Sequence, residues 1–294
     1  MSTPIRIGIA GYGNLGKGVE TALARNPDMT LVGVFSRREP ASIALRDPAV
    51  AVHPLDRAAD FADAIDVMIL CGGSKTDLPE QGPALAAAFN TVDSFDAVDA
   101  AAQRGGHVAL ISVGWDPGLF SMERLLGEAI LPQGDTYTFW GKGLSQGHSD
   151  AVRRLPGVAA AVQYTIPSPE AMARARSGDQ PVLGTREKHT RECYVVLAQG
   201  ADAASVERAI VTMPDYFADY DTKVHFIDAE TLRREHSAMP HGGFVIRSGR
   251  TSEAAAQTME FSLKLGSNPE FTASVLVAYA RAAHRLALRG ETGA

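Results

Sequence analysis

IRIGIAGYGNLG, residues 5–16, joins an apolar run to a glycine-rich turn of the form G-x-G-x-x-G. A helical pattern follows over residues 17–25, and a second apolar run, TLVGVF, occupies residues 30–35. Strand, glycine turn, helix and strand in this order form the βαβ unit in which a dinucleotide pyrophosphate lies against a helix N-terminus. The pattern therefore predicts a dinucleotide site whose first contacts are Gly11, Tyr12, Gly13, Asn14, Leu15 and Gly16.

The second predicted strand ends in Ser36, Arg37 and Arg38, at the point where an acid would bind a free ribose. Guanidinium groups match the geometry of a phosphate monoester. The sequence therefore predicts NADP as the cofactor, while a solvated pair of loop arginines is the alternative interpretation.

Composition is that of an ordinary folded enzyme. The chain has 294 residues, 45% of them hydrophobic and 21% charged, which favours about two domains and excludes disorder along the whole chain. A formal net charge of −6 argues against nucleic acid or an anionic membrane as partner. No run approaches the ~20 apolar residues of a membrane span, and the N-terminus lacks a signal-peptide pattern, so we expect a cytoplasmic protein. Cys71 and Cys193 lie in separate apolar runs and are predicted to be buried free thiols.

The first part of the chain continues as a doubly wound parallel sheet. Predicted strands cover residues 50–53 and 66–71, and the loop after the second one should lie at the ligand-binding edge of the sheet. The residues of this loop that we expect against the cofactor are Cys71, Gly72, Gly73, Ser74 and Thr76. Two further strands, within 90–96 and 107–118, end in acidic residues.

The pattern changes after Leu119. A helix over about 120–130 is followed by strand-like segments with few helices between them, which predicts an open, mostly antiparallel sheet. The predicted fold is α/β, a Rossmann-type doubly wound sheet with a second α+β domain. The predicted ranges are 1–118 with 266–294 for dinucleotide binding, the C-terminal helix returning to the first domain, and 119–265 for substrate binding and dimerisation.

Six motifs together resemble the meso-diaminopimelate dehydrogenase family. They are GYGNLGKG at 11–18, TVDSFD at 91–96, GWDPG at 114–118, FWGKGLSQGHSDA at 139–151, MPHGG at 239–243 and NPEFTA at 268–273. The resemblance implies a reversible, NADP-dependent oxidative deamination at the D-centre of meso-2,6-diaminopimelate. The products would be L-2-amino-6-oxopimelate, which cyclises to tetrahydrodipicolinate, and ammonia. It also implies a homodimer acting in lysine biosynthesis.

The resemblance supplies the substrate residues. Asp96 and Asp116 would face the reacting amine and handle its proton, although the sequence leaves open which of them does so, or whether water does. Asp93 would lie nearby, Trp115 and Trp140 would wall the pocket, and Ser145, Gln146 and Gly147, before a helix from Ser149, would hold the D-end carboxylate. The distal L end would contact Thr165, Arg191, His241 and Asn268.

Plainer interpretations remain for several of these residues. Asn268 before Pro269 suits a helix cap, and Asp116 before Pro117 is a common turn pair. Trp115 and Trp140 would also suit a core. None of the residues requires a metal.

Two other functions are compatible with the same motifs. A D-amino acid dehydrogenase of broader specificity would lack the distal clamp, and a non-catalytic NADP-sensing protein would lack the pocket acids. A sugar dehydrogenase of similar plan is disfavoured because no Glu-Lys-Pro follows the fourth or fifth strand.

The chain departs from the family pattern in two places. Residues 97–106 are fewer than the family pattern leads us to expect between the acidic strand ends, so we expect a trimmed helix there. The chain also stops at Ala294 where relatives continue, and we expect this to affect the stability or closure of the first domain.

Overall fold

A computed structural model describes residues 3–73, 77–93 and 98–294, without the side chain of Gln146. The chain divides into two compact units, residues 1–121 with 269–294, and residues 122–268. These borders lie three residues beyond the ranges expected from the sequence.

The first unit contains a six-stranded parallel sheet. Its strands are β1 (Ile5–Ala10), β2 (Met29–Ser36), β3 (Ala51–Pro54), β4 (Val67–Leu70), β5 (Thr91–Val92) and β6 (Ala109–Leu110). Their order across the sheet is β3-β2-β1-β4-β5-β6. Ile7 aligns with Leu31 on one side and with Val67 on the other, so the apolar run in β1 lies in the middle of the sheet. The predicted doubly wound parallel sheet is confirmed.

The helices of this unit cover the sheet and form its core. They are α1 (Asn14–Leu23), α2 (Leu78–Ala86), α3 (Asp99–Gly105) and α10 (Asn268–Ala287), of which α10 joins this unit from residue 269. One buried cluster holds Phe35, Met68, Leu70, Leu78 and Phe89. α1 packs closely on α10, since a Cβ placed on Gly18 would lie 2.9 Å from that of Ala273.

Several boundaries differ from the sequence prediction. α1 begins at Asn14 rather than Lys17, because the turn at Gly13 leads directly into helical backbone. Of the strand expected within 90–96, Thr91–Val92 pair with β4 and β6, while residues 94–96 lie outside the described residues. The segment expected to hold a trimmed helix contains the seven residues of α3.

The second unit contains two sheets. The strands are β7 (Gly134–Trp140), β8 (Gly143–Leu144), β9 (Val158–Pro167), β10 (His189–Leu197), β11 (Asp221–Phe226), β12 (His241–Ser252) and β13 (Ala255–Leu265). One sheet has the order β11-β10-β9-β8 and the other β13-β12-β7. All pairs are antiparallel except β10 with β11, which agrees with the mostly antiparallel architecture expected.

The chain passes from one sheet to the other at Gly141. This residue has a φ of +127°, and a Cβ there would lie 2.6 Å from the Thr165 carbonyl oxygen. Only glycine fits this turn, which redirects the chain between the two strands. As a result β7 pairs with β12, while β8, two residues later, pairs with β9. A single sheet would need β7 and β8 to continue as one strand.

The helices of the second unit lie between and beside these strands. They are α4 (Leu119–Ile130), which begins at the border of the first unit, α5 (Gln146–Arg153), α6 (Pro169–Arg176), α7 (Thr185–Lys188), α8 (Ala203–Val211) and α9 (Ala229–Glu235). No described helix is both long and apolar enough to cross a bilayer.

A buried arginine holds the end of α4. The guanidinium of Arg247 donates to the Leu131 carbonyl at 2.6 and 3.0 Å and to the Thr136 hydroxyl at 2.9 Å. A cation at a helix C-terminus satisfies carbonyls that have no partner within the helix. Arg247 therefore fixes α4 to the three-stranded sheet.

Candidate active site

The glycine turn after β1 brings main chain close to main chain. A Cβ on Gly16 would lie 2.3 Å from the Gly11 carbonyl oxygen, and one on Gly11, whose φ is +95°, would lie 2.9 Å from the Cys71 carbonyl carbon. Gly13 precedes α1 with open space on its Cβ side and with no side chain capping the helix. The first N–H groups of α1 are therefore available to an anion.

A cavity of about 450 Å³ opens beside this turn. It brings together most of the residues predicted for the cofactor. Its lining is Gly11, Tyr12, Gly13, Phe35, Ser36, Arg37, Arg38, Leu55, Cys71, Gly72, Gly73, Asp77 and Gln81. Asn14, Leu15 and Gly16 lie in α1 and do not line it, while Ser74 and Thr76 are outside the described residues.

The two arginines lie between this cavity and a second one of about 330 Å³. Arg37 reaches the Asp77 carboxylate at 2.6 Å, and Arg38 donates to the Tyr12 carbonyl at 2.5 Å. Ser36 is buried and accepts the Arg38 backbone N–H at 3.1 Å. Two guanidinium groups, a hydroxyl and the N-terminus of α1 are the donors that a dinucleotide with an additional phosphate requires, so this half of the site fits NADP.

The acidic strand ends of the first unit form a second group. Asp93 follows β5, is 1% exposed, and its carbonyl accepts the Val113 N–H at 2.8 Å. Trp115 is buried edge-on against Phe120, and Asp116 is half-buried. The structure thus places Asp93 next to the start of the 113–118 turn. Asp96 lies outside the described residues.

A charged group is buried in the second unit. Arg191 is 4% exposed, its Nη1 donates to the Thr165 hydroxyl from the neighbouring strand, and its guanidinium lies 3.9 Å from the Tyr220 ring centroid. Among the described residues its Nε has no hydrogen-bond partner, and none of their carboxylates forms an ion pair with the guanidinium. A buried cation with an unused donor is costly without an anion, so the geometry fits a carboxylate ligand.

The helix expected from Ser149 begins at Gln146. The Ser145 hydroxyl accepts the His148 N–H at 3.5 Å and thereby caps α5, so Gln146 and Gly147 form its first turn. The Ser149 hydroxyl donates back to the Ser145 carbonyl at 2.6 Å. The predicted donors at 145–147 therefore lie at the start of an eight-residue helix rather than before one.

Residues 239–240, directly before His241, accept hydrogen bonds from both β8 and Asn268. The Leu144 N–H donates to the Pro240 carbonyl, and the Asn268 N–H donates to the Met239 carbonyl, each at 3.0 Å. The His241 ring occupies the space beside Gly143, where a Cβ would lie 2.4 Å from ring atoms. Since Gly143 is aligned with Thr165, these contacts place His241 near the Thr165 and Arg191 pair.

Sequence reasoning missed His189. Its Nε2 accepts the Trp140 N–H at 2.9 Å, and its ring stacks on the Trp140 indole at 5.0 Å between centroids. His189 and Arg191 lie on one face of β10, since alternate residues of a strand share a face, and this period-two pattern was the available signal. Tyr220 and Asp77 carry no such local signal, because each reaches its arginine from a distant part of the chain.

The histidines around Arg191 are held neutral. Burial, assisted by the charge of Arg191, lowers the pKa of His148 to about 4 and that of His189 to about 3. The pKa of His241 is also lowered, mainly by burial. Burial raises the pKa of the Cys193 thiol to about 12 and also raises that of Cys71, and both cysteines are free, as predicted. No three His, Cys, Asp or Glu side chains of the described residues are grouped as metal ligands.

Known proteins resemble the chain along almost its whole length. The family model described as "Diaminopimelic acid dehydrogenase C-terminal domain" matches residues 114–267. A meso-diaminopimelate D-dehydrogenase of Ureibacillus thermosphaericus is 63% identical, over 99% of this chain and 92% of the relative.

Two solved structures are similar in fold and sequence. The diaminopimelate dehydrogenase of C. glutamicum in complex with DAP has a TM-score of 0.92 at 47% identity, covering 99% of this chain and 92% of that one. An engineered D-amino acid dehydrogenase bound to NADP⁺ has a TM-score of 0.88 at 46% identity, with the same coverage.

The buried histidines predict a stability that falls in mild acid. Their pKa in the folded protein lies below the ordinary value of 6.5, so their contribution is complete above pH 6.5 and is lost as the pH falls. Each should lower the free energy of unfolding by about 1.4 kcal/mol per pH unit between pH 6 and pH 5. Urea unfolding at several pH values measures this slope.

Removing one buried histidine tests the assignment. His189→Gln should remove one histidine's share of the slope between pH 6 and pH 5. Equal slopes in the wild-type protein and the His189→Gln variant would contradict the assignment.

Proposed function

The chain belongs to the meso-diaminopimelate D-dehydrogenase family, and from this premise we propose how its residues divide the work of the reaction. It is an NADP-dependent oxidoreductase acting on a CH–NH₂ group. It catalyses the reversible oxidative deamination of meso-2,6-diaminopimelate to L-2-amino-6-oxopimelate and ammonia. Lysine biosynthesis is the general role of this enzyme.

The buried guanidinium of Arg191 carries the assignment of the distal clamp. It combines an unused Nε donor, the hydroxyl of Thr165 and a covering Tyr220 ring in one small region. A carboxylate bound there would use the free donor and offset the cost of the buried charge. We therefore assign the distal amino acid group to Thr165, Arg191, His241 and Asn268.

The residues of the cofactor site are assigned from the hydrogen-bond donors around the cavity beside the glycine turn. Bound NADP would supply the acceptor for the hydride removed from the substrate carbon. The N-terminus of α1 would hold its pyrophosphate, and Ser36, Arg37 and Arg38 its 2′-phosphate. Cys71, Gly72 and Gly73, at the carboxyl end of β4, would complete this side of the cavity.

The acids of the first unit are proposed to hold the reacting amine. Asp116 is half-buried and remains within reach of water, and we assign proton removal from the amine to Asp116 or Asp96. Asp93 would support the same amine. The indoles of Trp115 and Trp140 would exclude water around the reacting carbon, and the α5 start at Ser145, Gln146 and Gly147 would hold the D-end carboxylate.

The substrate assignment predicts selectivity for one isomer. Purified protein with NADP should oxidise meso-diaminopimelate, with little turnover of the LL isomer, which has no D-centre to react. D-alanine and D-lysine should also react slowly, because neither has a distal amino acid group to bind the clamp. NADPH formation measured at alkaline pH tests this. Comparable turnover of D-alanine would instead support a D-amino acid dehydrogenase of broader specificity.

A variant separates the clamp from the reaction. Arg191→Met should reduce kcat/KM for meso-diaminopimelate about 100-fold, the effect of losing a charged hydrogen-bonded pair, and leave the residual D-alanine rate unchanged. Arg186→Met, which removes an exposed arginine that pairs with Asp221, is the matched control. Equal losses for both substrates would contradict the clamp.

The arginine pair predicts cofactor selectivity. Changing Arg37 and Arg38 together to Ala should weaken NADP binding about 100-fold and NAD binding little, because only NADP carries the additional phosphate. Dissociation constants of both cofactors from NAD(P)H fluorescence titrations measure the difference. Equal losses for the two cofactors would contradict the 2′-phosphate assignment.

An exposed apolar stripe on α4 supports a homodimer. Met122, Leu125, Leu126 and Ile130 are 55%, 62%, 51% and 54% exposed and lie on one side of the helix. Exposed apolar patches of this kind mark association surfaces, and the most common soluble assembly is a twofold dimer. We assign this stripe to a contact with a second copy of the chain.

The two free cysteines agree with a reducing compartment, and we place the enzyme in the cytoplasm.

The dimer surface can be tested directly. The Leu125→Glu and Leu126→Glu double variant should sediment as a monomer where the wild-type protein is a dimer, because buried carboxylates would disfavour the contact. Leu288→Glu is the control, since Leu288 is 76% exposed at the end of α10 and outside the stripe. A double variant that remains dimeric would exclude α4 from the interface.

A further inference from the structure

The Tyr12 side chain of the glycine turn points away from solvent. Tyr12 lines the cofactor cavity but is only 4% exposed. Its phenol hydroxyl donates a hydrogen bond to the Glu20 carboxylate. Burial and the neighbouring Glu20 raise the pKa of Tyr12, so the phenol remains a donor. A residue in the middle of the G-x-G-x-x-G motif is thereby held by an acid two turns along α1.

Glu20 has a second set of partners. It is 5% exposed, and its Oε1 accepts the backbone N–H groups of Arg46 and Asp47 at 2.9 and 3.0 Å. The carboxylate therefore joins the glycine turn to the segment that follows β2. A buried acid on a helix face that covers a sheet is uncommon unless its hydrogen bonds are satisfied, and here both oxygens are used.

The same segment begins with the arginines assigned to the 2′-phosphate. Residues 37–47 leave β2 at Arg37 and Arg38 and return to Glu20 at Arg46 and Asp47. Arg38 is also joined to the turn, because its guanidinium donates to the Tyr12 carbonyl at 2.5 Å. The Glu20 carboxylate thus holds the C-terminal end of the segment by accepting the Arg46 and Asp47 N–H groups. It is linked to the N-terminal end through Tyr12, which contacts Arg38.

We propose that Glu20 is a positioning residue for cofactor selectivity: through Tyr12 and the 46–47 backbone it holds Arg38 and its loop where a 2′-phosphate is bound. The inference rests on the NADP assignment above. Glu20 itself touches neither cofactor cavity, so its effect passes through these hydrogen bonds.

Glu20→Gln tests the proposal at nearly constant volume. The amide nitrogen cannot accept a hydrogen bond, so either Tyr12 or the Arg46 and Asp47 N–H groups lose an acceptor. We expect the dissociation constant of NADP to rise about tenfold, the value for loss of one hydrogen bond to a charged group. The constant for NAD should change less than about twofold, and kcat at saturating NADP should stay within about twofold, because the reacting groups are elsewhere.

Tyr12→Phe provides a second route in case Glu20→Gln does not fold. It removes only the phenol donor and should weaken NADP about threefold. The variant that carries both changes should bind NADP as tightly as Glu20→Gln alone, because the two changes break the same chain of hydrogen bonds. Glu207→Gln, which neutralises an exposed acid on α8 of the second unit, controls for the change in net charge.

The outcomes separate this inference from the function on which it rests. Equal weakening of NADP and NAD, unchanged NADP binding in both variants, or a loss confined to kcat would overturn the positioning role. A wild-type protein without preference for NADP, or an Arg37 and Arg38 double variant without loss, would overturn the cofactor assignment itself.

Discussion

Close approach of main chain to main chain at the glycine turn is the constraint on which the first unit depends. Gly16 touches the Gly11 carbonyl, and Gly11 touches the backbone at Cys71 after β4. These contacts bring the ends of β1 and β4 and the start of α1 within reach of one ligand. A side chain at either position would separate them and displace the start of α1 from the ends of the two strands.

The second unit depends on a buried charge in a similar way. Two strands align Thr165 with Arg191, and Tyr220 covers the guanidinium from a third part of the chain. The surrounding histidines are neutral because burial and the arginine both disfavour a second positive charge. The region is therefore preorganised for an anion, because a buried guanidinium with an unpartnered Nε lies among neutral histidines.

Sequence reasoning was most accurate where local pattern and backbone geometry agree. The glycine turn after β1 and the strands of the parallel sheet were predicted because each has a short-range physical signature. It was least accurate at the ends of helices and at the point where the chain passes from one sheet to another. Ser145 caps α5 earlier than expected, because composition does not specify the backbone torsions that start the helix there. Gly141 turns the chain into a second sheet beside Thr165, a contact between distant parts of the chain.

The sequence by itself determined the βαβ unit, the selection of NADP over NAD as an expectation, and the family. These follow from residues adjacent in the chain. Only the tertiary structure placed Glu20 beneath Tyr12, Tyr220 over Arg191, Asp77 against Arg37 and His189 under Trp140. The reason is physical: a periodic pattern can indicate which face of an element a residue lies on, but not which side chain it meets once the elements pack.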